Sequence, residues 1–179
     1  METNLFIDKI SLNRDRINSF DEYPFNIEII KNFNELKFTE PVTFFVGENG
    51  TGKSTFIEAI AIAMGLNAEG GTQNFNFVTK NTTSDLSNYL KISRHKYPEN
   101  KFFLRAESFY NFSSEVQRLV EEDQYFSLYK YYGGNLHNCS HGESFIKLVK
   151  NRFGDNGLYI LDEPEAALSP ERQMTLLCL

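Results

Sequence analysis

Apolar residues fall in short runs through the first third of the chain and take up helical spacing later. Leu5 to Leu12 and Phe25 to Phe38 carry short apolar runs with partial alternation. They predict strands of an antiparallel start, with Asp21 and Pro24 marking a turn. Val42 to Val46 is a short continuous apolar run, which predicts a buried strand ending at Gly47. From Lys53 a helix is expected. Phe56, Ile57, Ala59, Ile60, Ala61, Ile62, Ala63 and Met64 make it apolar on nearly every face, so it belongs in the interior. Gly65 offers it a left-handed C-cap.

Farther on, Asn67 to Asn76 is rich in Gly and Asn and reads as loop, Leu86 to Ile92 fits helix or strand, and Phe102 to Leu104 is another short apolar run. Ser114-Glu115-Val116-Gln117 has capping-box form, with Val116, Leu119 and Val120 behind it at helical spacing. Tyr129 to Asn138 reads as loop. Ser140-His141-Gly142-Glu143 repeats the capping-box form, and Phe145, Leu148, Val149 and Phe153 then make one helical face that Gly154 closes. Leu158 to Leu161 predicts a buried strand ending in Asp162-Glu163-Pro164. Ser169-Pro170 has the N-cap and N1 form of a last helix.

The chemistry gathers at two strand ends. Gly47-Glu48-Asn49-Gly50-Thr51-Gly52-Lys53-Ser54-Thr55 fits G-x-x-x-x-G-K-[ST] in full, between an expected strand and an expected helix. Glycines let successive backbone N–H groups turn toward one anion, and the helix N-terminus adds its dipole at the same point. In such a loop Lys53 reaches the β- and γ-phosphates and Ser54 places its hydroxyl on Mg²⁺. An acid at a neighbouring strand end completes a phosphate site. Asp162 suits the Mg²⁺ shell, because that ion takes a carboxylate together with waters and phosphates. Glu163, one residue on, is placed to orient or deprotonate an attacking water. Read alone, the two acids are a solvated turn before Pro164. Ser140, Gly142 and Glu143 need no function beyond capping, yet the same geometry presents free N–H groups to an anion.

Bulk properties narrow the classes. The 179 residues suit one domain, and 41% hydrophobic with 23% charged residues is ordinary for a globular protein. A net charge of -6 does not advertise a nucleic-acid partner, although Lys91, Arg94, His95, Lys96 and Lys101 form a local basic stretch that reads as a solvated face. Cys139 and Cys178 lack metal or redox spacing. No signal-peptide core is present, and Phe56 to Leu66 is too short to span a bilayer. A soluble, cytoplasmic protein is expected.

The ordered set of motifs resembles the ATPase domain of the ABC class, and more narrowly the stand-alone bacterial ATPases of that class labelled AAA-domain proteins. The set is the glycine loop, then Ser140-His141-Gly142-Glu143, then Leu161-Asp162-Glu163-Pro164, then Ala166-Ala167-Leu168-Ser169. Thr43 to Gly50, Phe102 to Phe109 and Ser140 to Phe145 carry the narrower likeness, which runs from about Tyr23 to Leu179. It implies an α/β P-loop NTPase: a mainly parallel central sheet, antiparallel N-terminal strands, a helical insertion, and last strands missing. It also implies ATP and Mg²⁺ as cofactors. Gly47 to Thr55 match the Walker A loop, Leu158 to Asp162 Walker B, and Glu163 the catalytic glutamate. Ser140, Gly142 and Glu143 match the signature motif, which contacts nucleotide held by the opposite subunit of an ATP-dependent head-to-tail homodimer. Ala166 to Ser169 match the D-loop. Glu107 stands where the class has a metal-sensing glutamine, and His141 replaces a signature glycine. The class continues past its D-loop to a switch histidine, so residues 1–179 are expected to be one domain lacking that segment.

Two readings follow from different classes: an Mg²⁺-ATP hydrolase, and a nucleotide-gated clamp that recruits a protein partner with little turnover. A transporter motor requires a membrane partner, and a repair ATPase of the SMC type a long heptad insertion that does not occur between Glu107 and Ser140.

Overall fold

The computed structural model describes residues 5–68, 70–71, 84–123, 129 and 132–179. The predicted loop over Asn67 to Asn76 and that over Tyr129 to Asn138 lie partly outside these residues.

Strand β1 (Ile7–Leu12) forms where its apolar run was expected. It is the middle of a three-stranded antiparallel sheet, flanked by β2 (Glu35–Lys37) and β3 (Leu90–Arg94). The register sets Ile10 opposite Leu36 on one side and Ile92 on the other. Leu86 to Ile92 divides between the two options it offered: a 3-10 turn over Asp85–Tyr89 runs straight into β3.

The expected strand over Phe25 to Phe38 is mostly not one. Its first half folds as the short helix α1 (Glu28–Asn32), and only β2 pairs. Ile27, Ile30 and Phe33 recur every third residue, so a helical turn directs all three toward the same cluster, in which Ile30 is fully buried. Arg14 holds the end of this helix by donating to the carbonyls of Lys31 (2.9 Å) and Phe33 (3.0 Å).

Helix α2 (Lys53–Ala63) is the interior helix that its all-round apolar sequence predicts. One side packs with Ile10 and Ile30 of the antiparallel layer, through Phe56, Ala59 and Ile60. Ile57 and Ala61 pack with Phe103 of the second layer. Gly65, at φ +80°, turns the chain after it. Arg94 and Lys101 donate to the carbonyls of Ala63 (3.5 Å) and Met64 (2.7 Å) at the same end. Burial there pushes the Lys101 pKa down, with the Arg94 charge adding to the effect.

The second layer is a parallel pair, β4 (Asn100–Arg105) and β5 (Gly157–Asp162), in register from Asn100–Gly157 to Arg105–Asp162. Parallel neighbours require a crossover, and α3 (Phe109–Asp123) and α4 (His141–Arg152) lie within it. Phe102, Phe112, Val116, Phe145 and Leu148 bury the faces between them. Helix α3 begins five residues before its predicted cap. Ser114 is mid-helix and its hydroxyl bonds back to the Tyr110 carbonyl (3.0 Å), the alternative use of a helical serine. After β5, a 3-10 turn over Pro164–Ala167 leads into α5 (Pro170–Leu177), with Ser169 at N-cap and Pro170 at N1 as expected.

Two sheet expectations need correction. Parallel pairing is confined to β4 and β5, so among the described residues the parallel part is smaller than the antiparallel one. Val42 to Val46 is not a buried strand. No described strand pairs with it, and Val42, Phe44 and Val46 are 67%, 72% and 88% exposed. Phe45 alone turns inward, edge-on to Phe56 at 5.8 Å. Among the described residues β5 is paired only with β4, so its other edge is open and Val42 to Val46 does not take it.

Candidate functional site

The glycine loop owes its shape to three residues with positive φ: Gly47 (+157°), Gly50 (+81°) and Gly52 (+94°). The last two occupy the region that side chains disfavour. Gly52 is also fixed by packing, because a Cβ there would stand 2.6 Å from Ile27 Cγ2. Thr51 closes the loop internally, its hydroxyl donating to the Glu48 carbonyl (2.9 Å). Lys53 folds back over the loop and donates to the carbonyls of Gly47 and Glu48, both at 2.8 Å. Its ammonium is therefore held against the loop's own backbone. Ser54 follows in the first turn of α2, and Thr55 after it.

Asp162 ends β5 and is buried. Ser54 acts on its carboxylate, and Arg105 ties α2 to the end of the parallel pair by bridging Glu58 and Asp162. Burial pushes the Asp162 pKa up. Ser54 and Arg105 pull against that, while Glu107 and Glu165 add to it. Arg105, directly opposite Asp162 in the register, serves three carboxylates: Glu58 on α2 (2.6 Å), Asp162 (3.4 Å) and Glu107 (3.6 Å). Glu107 itself is exposed and reaches the cluster only through this guanidinium and the field it exerts on Asp162. Glu163 is exposed, and it is the one non-glycine residue with positive φ (+50°) among the described residues. A left-handed carboxylate directly after a buried strand end is a backbone cost that the surroundings must impose.

Arg105 and Glu58 are absent from the sequence-derived site. Glu58 had one visible signal, a charge within an otherwise apolar helix. Arg105 sits two residues before Glu107 at the end of an apolar run, and nothing local marks its partners.

The second capping box is fully formed. Ser140 is the N-cap of α4, its side chain bonded to the Glu143 backbone, and Glu143 accepts from the Ser140 backbone N–H at 3.0 Å. That pairing, with the Ser140 side chain foremost, pulls the Glu143 pKa down. Arg172 of α5 donates to Ser140 Oγ (3.3 Å) and Glu143 Oε1 (3.1 Å). Gly142 lies beneath it, and a Cβ would come within 2.9 Å of the guanidinium and 3.1 Å of the Ala167 carbonyl. Ser140, Gly142 and Glu143 thus take their partners from the 164–177 region. Glu107 and Asp162 gather around Arg105 with Ser54 acting on Asp162, Lys53 stays on its own loop, and Ser140, Gly142 and Glu143 form a second group with Arg172 of α5.

Oxygen donors of the hydroxyl and carboxylate kind, with a lysine at the loop, fit Mg²⁺ bound with a phosphate chain. That ion keeps most of its waters and needs only one or two protein carboxylates. Among the described residues no group of three or more His, Cys, Asp or Glu could hold a metal alone, so a third donor would come from the phosphate. No described helix is long and apolar enough to cross a membrane. The model of a protein family described as AAA domain matches residues 17–150. No curated protein and no solved structure matches the chain.

Proposed function

The chain belongs to the AAA-domain family, whose members are generally ATPases of the P-loop type, and from that premise we propose that it binds Mg²⁺-ATP and hydrolyses it in the manner of the ABC class. The observation that carries the reading is the bridge made by Arg105, 2.6 Å from Glu58 on α2 and 3.4 Å from Asp162. It ties the helix that opens at the phosphate loop to the strand-end acid, which supports a metal shared between Ser54 and Asp162.

The roles follow from position. The backbone N–H groups of Gly47 to Thr55 cradle the phosphates, with Glu48, Asn49, Gly50, Thr51 and Gly52 forming the loop. On binding, Lys53 exchanges the Gly47 and Glu48 carbonyls for phosphate oxygens. Ser54 and Asp162 hold Mg²⁺, with Glu107 beside them. The ion neutralises charge on the phosphate oxygens when bound. Glu163 accepts the proton of a water whose oxygen bonds to the γ-phosphorus. The bond from that phosphorus to the β–γ bridging oxygen breaks, and ADP leaves with that oxygen. Its exposure beside buried Asp162 suits a base that must meet solvent water.

Ser140, Gly142 and Glu143 take their neighbours from α5, which supports their use on nucleotide held by a second copy in a head-to-tail dimer. Calorimetry with Mg²⁺-ATP tests the loop: Lys53→Ala weakens binding by at least tenfold, and unchanged affinity overturns the reading. Glu163→Gln keeps the shape but cannot take a proton, so it retains ATP binding and accumulates an ATP-bound dimer on gel filtration. Wild-type turnover in Glu163→Gln removes the general base from the scheme.

A further inference from the structure

The end of the parallel pair carries a cation as well as acids. Arg105 closes β4 directly opposite Asp162, and one residue on, the Ala106 N–H donates to the Asp162 carbonyl at 3.2 Å. The two strand ends are thus tied past the point where Arg105 leaves the sheet. Phe103 and Leu104 before it are buried, so the backbone has little freedom to carry the guanidinium away. Its grip on the acids is unequal. Glu58 Oε2 lies 2.6 Å from Nη1, a hydrogen bond that anchors the group to α2. Asp162 Oδ2 lies 3.4 Å from Nε, close enough for charge but longer than a good hydrogen bond. Glu107 is farther still, at 3.6 Å, and its side chain is 84% exposed.

The balance of charge decides what a divalent ion meets here. Glu58 and Asp162 are both buried, and one guanidinium set against these two carboxylates leaves a single negative charge. Glu107 adds little, because solvent screens an exposed group. Mg²⁺ gives up its waters reluctantly and takes one or two carboxylates together with phosphate oxygens. A carboxylate that already faces a fixed cation is a poor ligand for a second one, and the low dielectric of a buried site strengthens the repulsion.

We propose that Arg105 is the resident counter-ion of the metal site: it holds Asp162 in the nucleotide-free chain and keeps a divalent cation from binding there before the phosphates arrive. The inference rests on the phosphate-loop reading given above. The phosphates supply the negative charge that the acids lack, so metal and nucleotide enter together. Anchored by Glu58, the guanidinium loosens its longer contact with Asp162 without leaving the site. Arg105 touches neither phosphate nor attacking water in this scheme; it is a positioning residue that acts through Asp162.

The test is binding of Mn²⁺ to the full chain without nucleotide, read from the spin-resonance signal of the free ion. Mn²⁺ takes the oxygen donors that Mg²⁺ takes. Arg105→Gln keeps a donor for Glu58 and removes the charge, and it is expected to bind Mn²⁺ at least tenfold tighter than the native chain. Arg105→Lys keeps the charge and stays near the native value. Adding Asp162→Asn to Arg105→Gln abolishes the gain. A melting curve shows which variants are folded. Where Arg105→Gln is not, Glu58→Gln with Arg105→Gln is compared with Glu58→Gln alone, a pair that differs only in the guanidinium. Equal Mn²⁺ affinity with and without the guanidinium overturns the inference. So does an equal gain in Arg105→Lys, or a gain that survives Asp162→Asn. Lys53→Ala separates the inference from the reading beneath it, because it weakens Mg²⁺-ATP binding on calorimetry and leaves the binding of Mn²⁺ alone as it was. Unchanged Mg²⁺-ATP affinity in Lys53→Ala overturns that reading and the order of binding with it. The normal loss there, with no Mn²⁺ gain in Arg105→Gln, overturns the inference alone.

Discussion

The two limbs that meet at Ser54 and Asp162 are built in opposite ways. The acid limb arrives on β5, hydrogen-bonded along its length to β4 and covered by α3 and α4. The loop limb arrives on Val42 to Val46, which pairs with no described strand and shows four of its five side chains to solvent. One limb is placed by the sheet. The other is placed from behind, by α2 and by the contact of Gly52 with Ile27. Equally apolar sequences therefore carry unequal shares of the stability, and a catalytic position can be fixed without a paired strand leading to it.

Substitutions that are alike in chemistry and unlike in limb measure this inequality. Phe103→Ala in β4 removes a fully buried ring from the cluster it forms with Ile57 and Ala61, and is expected to cost about 3–5 kcal/mol in urea unfolding. A cost below 1 kcal/mol would mean that the parallel pair is not the anchored limb. Arg105→Met leaves Glu58 and Asp162 mostly buried without their cation. Roughly 3 kcal/mol is expected, toward the lower part of the range for broken buried pairs because the guanidinium is itself partly exposed. Adding Glu58→Met should recover part of that loss. If the double variant is no more stable than Arg105→Met alone, the guanidinium is not there to balance Glu58.

Much of this arrangement is legible in the sequence, and the legible part has a common property. The loop, its helix, the strand ending at Asp162 and the box at Ser140 are written within about a dozen consecutive residues each. Local geometry decides them. Phe25 to Phe38 shows the partial alternation of a strand, whereas Ile27, Ile30 and Phe33 find their cluster through a helical turn. Val42 to Val46 has the right composition for a buried strand, but composition does not decide whether it pairs with the open edge of β5. Arg105 was invisible for the same reason: Glu58 and Asp162 lie on either side of it at long range, and no spacing rule connects them.

A smaller effect is expected at the box. Ser140→Ala should cost about 1 kcal/mol, the usual worth of an N-cap side chain. Glu143 adds a sign in pH. Its pKa is lowered on folding, so its contribution is present above the ordinary carboxylate pKa and disappears as pH falls through the lowered value. Glu143→Gln should therefore be less stable than the native chain at neutral pH and equal to it in acid below that range. A gap that is the same at both pH values would show that the charge is not involved. The smallest effect belongs to the loop limb: Phe44→Ser, at a position 72% exposed, should change the unfolding free energy in urea by no more than about 0.5 kcal/mol. A loss as large as that of Phe103→Ala would show that this segment is covered in solution.

The tail of α2 bears on how the chain meets a polyanion. Arg94 and Lys101 belong to the basic stretch of the sequence, yet both are engaged with the carbonyls of Ala63 and Met64, and His95 lies 3.4 Å from Asp8. Attraction between a protein and a nucleic acid is driven by the counterions that free cations displace from phosphates. Cations already committed to a helix end displace few of them unless they first let go. This face would give a shallow dependence of affinity on salt, far below what its count of basic residues suggests.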